Sequence, residues 1–167
     1  MRFLTILFLL SVIVGFKARA QSKKQAAYND SFTNGYLAIK DKLVLNDSVS
    51  TKKLSIEFYE KLKGYSPKNV PADSVEIFNK LKDKLVSYAG KMASTQNVNR
   101  QRESFSPMSQ LFWRMSGIIK MSTESLYYQQ CPMTGVTWVS RENTIKNPYY
   151  PKNMLTCGKV VGERKGI

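Results

Sequence analysis

Apolar side chains recur every three or four residues from residue 28 to residue 120, and this periodicity restricts the possible folds more than any other feature. Side chains at such spacings share one face of an α-helix, and that face has to be buried against another element. Breaks at residues 46–48, 64–69 and 94–97 divide the stretch into four helices with short connections. The sequence therefore predicts a mainly α fold with an antiparallel four-helix bundle over residues 28–120. The predicted core-facing residues are Phe32, Tyr36, Ile39, Leu43, Leu54, Phe58, Leu62, Phe78, Leu81, Leu85, Tyr88, Met92, Phe105, Met108, Phe112, Met115 and Ile119.

Local signals mark where several of these helices begin. Asp47 or Ser48 is placed to cap the second helix, and Pro71 suits the first position of the third. Pro107 falls inside the fourth helix, where a proline removes one backbone hydrogen bond. Two outcomes are open: the helix kinks at Pro107, or Ser106 caps a new helix that starts there.

The N-terminus has the layout of a secretory signal peptide. Met1 and Arg2 are followed by a nearly continuous apolar run, residues 3–16, and then by the small-residue pattern Ala18-Arg19-Ala20. We expect cleavage between Ala20 and Gln21 and export to the periplasm or the medium, followed by a disordered leader over residues 21–27. The apolar run is shorter than the roughly 20 residues that span a bilayer, although an uncleaved anchor is the alternative. No further transmembrane span is predicted after cleavage.

The chain is strongly basic, and the charge bears on its partners. Arg2, Lys17 and Arg19 are the basic residues of the predicted signal, which contains no acid, so the remainder has 23 basic and 12 acidic side chains. Such a surplus attracts anionic surfaces. An exported protein rarely meets nucleic acid, so we expect no nucleic-acid partner. An acidic protein face or an anionic membrane surface is the more suitable partner.

The chain contains no histidine, and this absence excludes several functions. It removes the Ser-His-Asp and Cys-His arrangements and the commonest general base. It also removes the Glu-x-x-His motif of ferritin-like di-iron bundles. We therefore predict that the protein is not an enzyme.

Residues 121–167 have a different character and contain both cysteines of the chain. Residues 126–130 and 136–140 resemble short strands, and residues 147–151, which contain two prolines, form a rigid aromatic loop. The segment is too small for a core of its own. We therefore expect an irregular, short-stranded C-terminal segment that packs against the bundle in the same domain.

Two short motifs in this segment combine a thiol with a thioether. Cys131 and Met133 are two residues apart, and Met154 and Cys157 are three apart. Thiolate and thioether sulfurs are soft ligands that select Cu(I) over hard cations. The four sulfurs therefore predict a soft-metal site, provided that the two motifs meet in the fold.

A disulfide between Cys131 and Cys157 is the alternative use of the same thiols. Exported chains with an even number of cysteines commonly form such bonds. The bond would consume both thiolates and would leave a structural or interaction protein with a cross-linked tail.

The tail resembles the end of the domain-of-unknown-function family 3347. That family has, in this order, the motifs Y-x-x-C-P-M, W-L-S, I-x-N-P-Y and M-L-x-C-G, and the chain has close counterparts at residues 128–133, 138–140, 145–149 and 154–158. Residues 36–43, 102–105 and 108–109 are similar to the family as well. The chain differs in having Pro151 where a glycine is usual, and in a shortened loop at Thr134-Gly135.

The resemblance implies an exported protein, because family members are exported, helical in their first part, and sometimes fused to or encoded beside adaptor subunits of heavy-metal efflux pumps. The implied function is the binding or handling of a soft metal ion such as Cu(I), linked to heavy-metal efflux, with such an adaptor as partner. The alternative is a non-catalytic structural or interaction protein that docks on an acidic partner or a membrane. The implied metal ligands are Cys131, Met133, Met154 and Cys157, and the implied supporting residues are Trp138, Asn147, Pro148 and Tyr149.

Overall fold

The computed structural model describes residues 24–166, which form a mainly α fold with a small antiparallel sheet near the C-terminus. Helix α1 occupies residues 24–44 and is followed by α2 (Ser48–Lys63), α3 (Val75–Ala93) and α4 (Val98–Ile118). The strands are β1 (Leu126–Gln130), β2 (Thr137–Ser140) and β3 (Lys159–Arg164). The predicted fold class is confirmed. The predicted signal peptide and residues 21–23 lie outside the described residues, and no helix within 24–166 is long and apolar enough to cross a bilayer.

The helices follow the predicted stripes. α3 packs against both α2 and α4, and the apolar stripe of every helix contributes to one buried cluster. Asp47, rather than Ser48, caps α2 by accepting a hydrogen bond from Ser50 N at 2.9 Å. Asn97 caps α4 in the same way, and α4 runs through Pro107 without a new start at Ser106. Contrary to the prediction, Pro71 is not the first residue of α3. It precedes a short 3₁₀ turn (Ala72–Ser74), and α3 itself begins at Val75.

Residues 24–27 belong to α1, so the predicted disordered leader is wrong over this part. The hydrogen bonds of the Gln25 side chain explain why these residues are helical. Its amide nitrogen donates to Asn29 Oδ1 at 2.9 Å, one helical turn further on, and its oxygen accepts from Lys68 N in the loop after α2. The second of these bonds connects the first turn of the described helix to the loop after α2.

β1 is the central strand of the sheet, with β2 and β3 antiparallel on either side of it. The two strands predicted from the sequence are confirmed, and the second begins at Thr137 instead of Val136. β3 was not predicted. It pairs with β1 from Leu126↔Arg164 to Gln130↔Lys159, with an irregularity between Tyr128 and Gln129.

The C-terminal segment is joined to the bundle by polar bonds inside a shared apolar core. The hydroxyl of Tyr36 in α1 accepts a hydrogen bond from Val139 N in β2 at 3.0 Å, and it lies 2.7 Å from Ser109 Oγ in α4. The Thr33 hydroxyl donates to the Met121 carbonyl at 2.5 Å. Because buried polar groups need partners, these bonds fix the orientation of the sheet on the helices.

Candidate sulfur site in the C-terminal segment

Cys131 and Cys157 are in contact: their Sγ atoms are 3.4 Å apart. The register of the sheet explains the contact. The last residue of β1, Gln130, pairs with the first residue of β3, Lys159. Cys131 therefore follows the last paired residue of β1, at the same end of the sheet where Cys157 precedes β3. The predicted meeting of the two sulfur motifs is confirmed for the cysteines.

A tight turn between β1 and β2 holds Cys131. Cys131 N donates to the Val136 carbonyl at 3.0 Å, and Gly135 N donates to the Cys131 carbonyl at 2.8 Å. Gly135 has φ of +74°, a conformation that glycine adopts without the steric cost of a side chain. The shortened loop Thr134-Gly135 thus forms a closed turn with Cys131 at its base.

Asn147 holds the loop that carries Cys157. Its side-chain Nδ2 donates to the Cys157 carbonyl at 3.1 Å, and its Oδ1 accepts from Tyr149 N at 2.9 Å and from Tyr150 N at 3.3 Å. Its backbone N–H donates to the Leu155 carbonyl at 2.8 Å. Asn147 is completely buried, so one amide side chain satisfies several backbone groups of the loop and sets the position of Cys157.

The indole of Trp138 packs beside the loop that carries Cys157. It is completely buried, and its indole N–H donates to Gln129 Oε1 at 2.5 Å. Gly158 lies against the indole, where a Cβ atom would come within 2.9 Å of Trp138 Cη2. The indole can therefore pack against residue 158 only because that residue is a glycine.

Tyr149 and Pro148 connect the site to the helices. The Tyr149 hydroxyl donates to the Thr137 carbonyl at 2.7 Å, and its ring packs near Phe105 of α4. The Pro148 carbonyl accepts from Arg102 Nε at 2.9 Å. The structure buries all four residues predicted as supports: Trp138, Asn147, Pro148 and Tyr149.

The two thiols differ in their electrostatic surroundings. Burial by itself would raise the pKa of Cys131, but hydrogen bonds from the Thr134 hydroxyl, the Cys157 thiol and the N–H groups of Met133 and Thr134 together outweigh it, and the pKa lies below the ordinary thiol value. The pKa of Cys157 is raised, first because its thiol is hydrogen-bonded to Cys131 and then because of burial. The arrangement favours a thiolate at Cys131 with Cys157 as its proton donor.

The methionines are placed less closely than the cysteines. Met133 follows Cys131 in the turn, and 74% of its surface is exposed, whereas Met154 is half-buried. Among the described residues, no cluster of three or more histidine, cysteine or carboxylate side chains forms a metal site. The donor set inside the protein is therefore the cysteine pair, with thioethers on the adjoining turns.

The arrangement allows two kinds of chemistry. Two converging soft sulfurs without a hard ligand suit a soft monovalent ion, which accepts a small number of ligands. A disulfide requires sulfurs about 2 Å apart. The two sulfurs lie at contact distance, which is longer than a disulfide bond, and both cysteines are free thiols in the structure. The disulfide considered as the alternative is therefore not present.

Three residues of the site were not predicted. Thr134 hydrogen-bonds the Cys131 sulfur, Gln129 orients Trp138, and Arg102 holds the Pro148 carbonyl. Arg102 had a detectable signal, since it belongs to a helical stretch that resembles the family. Thr134 and Gln129 had none, because their roles arise only when the turn and the strand pairing have formed.

The fold and the site define a class: a helical protein that carries a sheet-supported dithiol. A family model described as "Protein of unknown function (DUF3347)" matches residues 32–124, more than half of the chain, and the chain belongs to this family. The predicted family is thus confirmed. The match ends before Cys131, so the likeness of the four tail motifs stays a prediction. No curated protein and no solved structure matches the chain.

Proposed function

We propose that the protein binds a soft monovalent metal ion, with Cu(I) as the main candidate, through Cys131 and Cys157. The observation that carries the proposal is the contact between the two sulfurs, 3.4 Å apart, at a point where two hydrogen-bonded turns converge. Thiolate pairs without imidazole or carboxylate neighbours select soft ions. No catalytic role is part of the proposal.

The state of the thiols supports metal binding. A ligand sulfur has to be deprotonated, and the hydrogen bonds that lower the pKa of Cys131 reduce the free-energy cost of that step. Cys157 would lose its proton when the ion binds. Met133 lies on the exposed side of the turn, and the three rotatable bonds of a methionine allow its thioether to reach an ion beside Cys131.

The test is an anaerobic competition titration of the reduced protein with Cu(I) and a chromophoric chelator. Replacing both Cys131 and Cys157 by serine should weaken binding by about a hundredfold or more, because both soft ligands are lost. Equal affinities of the wild type and the double variant would overturn the proposal.

The thioethers can be tested separately with volume-conserving variants. Met133→Leu and Met154→Leu should each weaken Cu(I) binding by about tenfold or less if the thioether supplements the thiolate pair. Met92→Leu, which replaces a buried methionine at the C-terminal end of the α3 stripe, is the control and should leave binding unchanged. An effect of Met92→Leu as large as that of the two tail variants would indicate changes in folding instead of ligation.

We further propose that the protein works outside the cytoplasm and passes its ion to an acidic partner, such as an adaptor subunit of a heavy-metal efflux pump. The support for export is the signal-like sequence of residues 1–20. Three exposed lysines support an acidic partner: Lys146 and Lys152 in the segment between β2 and β3, and Lys159 at the start of β3. Charge reversal of Lys152 and Lys159 should slow metal transfer to such an adaptor at low salt, whereas unchanged transfer would contradict this part of the proposal.

A further inference from the structure

We infer that Cys157 and Cys131 form a thiol–disulfide exchange pair, in which Cys157 reacts first with a small external disulfide and Cys131 then resolves the mixed disulfide. The inference uses the same two residues as the proposed metal site, but it does not depend on metal binding. It assigns a separate reaction, different positions in the reaction order, and a class of substrate, low-molecular-weight disulfides.

The order of reaction follows from exposure. Cys131 is completely buried, whereas Cys157 is half-buried on a loop whose neighbours Leu155 and Thr156 are exposed. A disulfide molecule in solution can therefore approach the sulfur of Cys157 and cannot approach that of Cys131. The Cys131 sulfur is accessible only from within, from Cys157.

The second step follows from proximity. The Cys131 Sγ already touches the Cys157 Sγ at 3.4 Å, so the resolving attack is intramolecular and is favoured by a high effective concentration. The product also needs little rearrangement, because the two sulfurs have to move only about 1.4 Å closer to reach the length of a disulfide bond.

The reaction balances in two exchanges. The Cys157 sulfur, after losing its proton, attacks one sulfur of the external disulfide RSSR, forms the mixed disulfide Cys157–SR and releases one thiolate RS⁻. The Cys131 sulfur, also deprotonated, then attacks the Cys157 sulfur, forms the Cys131–Cys157 bond and releases the second RS⁻. Both cysteines are oxidised, RSSR is reduced to two thiols, and the two protons released by the protein are taken up by them. The oxidised pair has no thiolate left for a metal ion.

Intact-mass measurements on the metal-free protein exposed to glutathione disulfide test the order. The wild type should become lighter by two hydrogens without accumulating an adduct. Cys131→Ser should accumulate one glutathione on Cys157, because nothing resolves the mixed disulfide. Cys157→Ser should stay unmodified over the same period, because its remaining thiol is buried.

A second measurement avoids variants altogether. Brief alkylation of the reduced wild-type protein, followed by peptide mapping, should label Cys157 well before Cys131. Equal labelling of both cysteines, a glutathione adduct on Cys131 in Cys157→Ser, or a lasting adduct on the wild type would each overturn the inference. Because no metal is present in these experiments, failure of the Cu(I) titration would not affect them, and their failure would leave the titration valid.

Discussion

Gly158 lies between Cys157 and the start of β3, and its missing side chain is what allows Trp138 to pack beside the thiols. A Cβ atom at this position would lie 2.8 Å from Ile145 Cγ2 and 2.9 Å from Trp138 Cη2. Both distances are shorter than normal carbon contacts, and both neighbours belong to the packed core. The absence of a side chain at residue 158 therefore allows the loop that carries Cys157 to pack against these neighbours.

Gly158→Ala should lower the free energy of unfolding by about 1–3 kcal/mol, the usual cost of overpacking, and should change the fluorescence of Trp138. Urea denaturation followed by tryptophan emission measures both effects. Gly64→Ala is the matched control, because its nearest neighbour, the Lys61 carbonyl oxygen, would be 3.8 Å from the new Cβ. A Gly158→Ala variant as stable as Gly64→Ala would show that the contact with the indole is loose.

At the same scale, the sequence indicated the site only in part. The residue types of Cys131 and Cys157 indicated sulfur chemistry. Their meeting could be stated only as a condition, because the strand that follows Cys157 and pairs with β1 was not predicted. The exposure of Met133 could not be predicted, because it depends on how the turn after β1 projects from the sheet. The role of Thr134 was equally hidden, since a threonine in a loop acquires a sulfur partner only through the turn geometry.

Among the elements, the helices were predictable and β3 was not. A helix buries a stripe that repeats within its own sequence, so the pattern of α3 from Phe78 to Met92 was sufficient. β3 has mostly exposed residues and no alternation of apolar and polar side chains. It forms because β1, which lies between 29 and 38 residues earlier in the chain, pairs with it, and no local sequence pattern contains this information.

The side chain of Asn97 caps the N-terminus of α4. Asn97 Oδ1 accepts hydrogen bonds from Asn99 N at 3.0 Å and from Arg100 N at 3.1 Å. Asn97→Ala should lower the free energy of unfolding by about 1 kcal/mol, whereas Asn97→Asp should retain most of the stability, because aspartate caps helices equally well. Thermal unfolding by circular dichroism measures the difference. Equal losses in both variants would contradict a capping role.

For the whole molecule, the polar junction between α1 and the C-terminal segment complements the shared core. Asp30 lies 2.6 Å from Arg141 and also accepts hydrogen bonds from the backbone and hydroxyl of Thr123. Both charged side chains are about four-fifths buried. The junction thus connects the first described helix to the bend after β2, and it contributes to holding the sheet that carries the thiols against the bundle.

The pKa of Asp30 makes this junction sensitive to acid. Burial would raise the pKa, but the hydrogen bonds from Thr123 and the charge of Arg141 leave it below the ordinary value of 3.8. A lowered folded-state pKa contributes stability that is present above the ordinary pKa and is lost as the pH falls through the folded-state value.

Asp30→Asn should therefore lower the free energy of unfolding at neutral pH by about 1–3 kcal/mol and reduce its dependence on pH in the acid range. Denaturation curves between neutral pH and about pH 2 measure both effects. Glu60→Gln, which removes an exposed ion pair with Lys63, is the control and should change stability by less than about 1 kcal/mol. Parallel pH profiles for the wild type and Asp30→Asn would contradict the junction's role.

If Cys131 and Cys157 together form one soft-metal site, a bound ion must be surrounded by sulfur. X-ray absorption at the copper edge of the anaerobically Cu(I)-loaded protein reports which atoms surround the ion. We expect coordination by sulfur alone, and we expect this signal to disappear in the variant with serine at positions 131 and 157. A shell of nitrogen or oxygen, or a sulfur shell that persists in that variant, would contradict it.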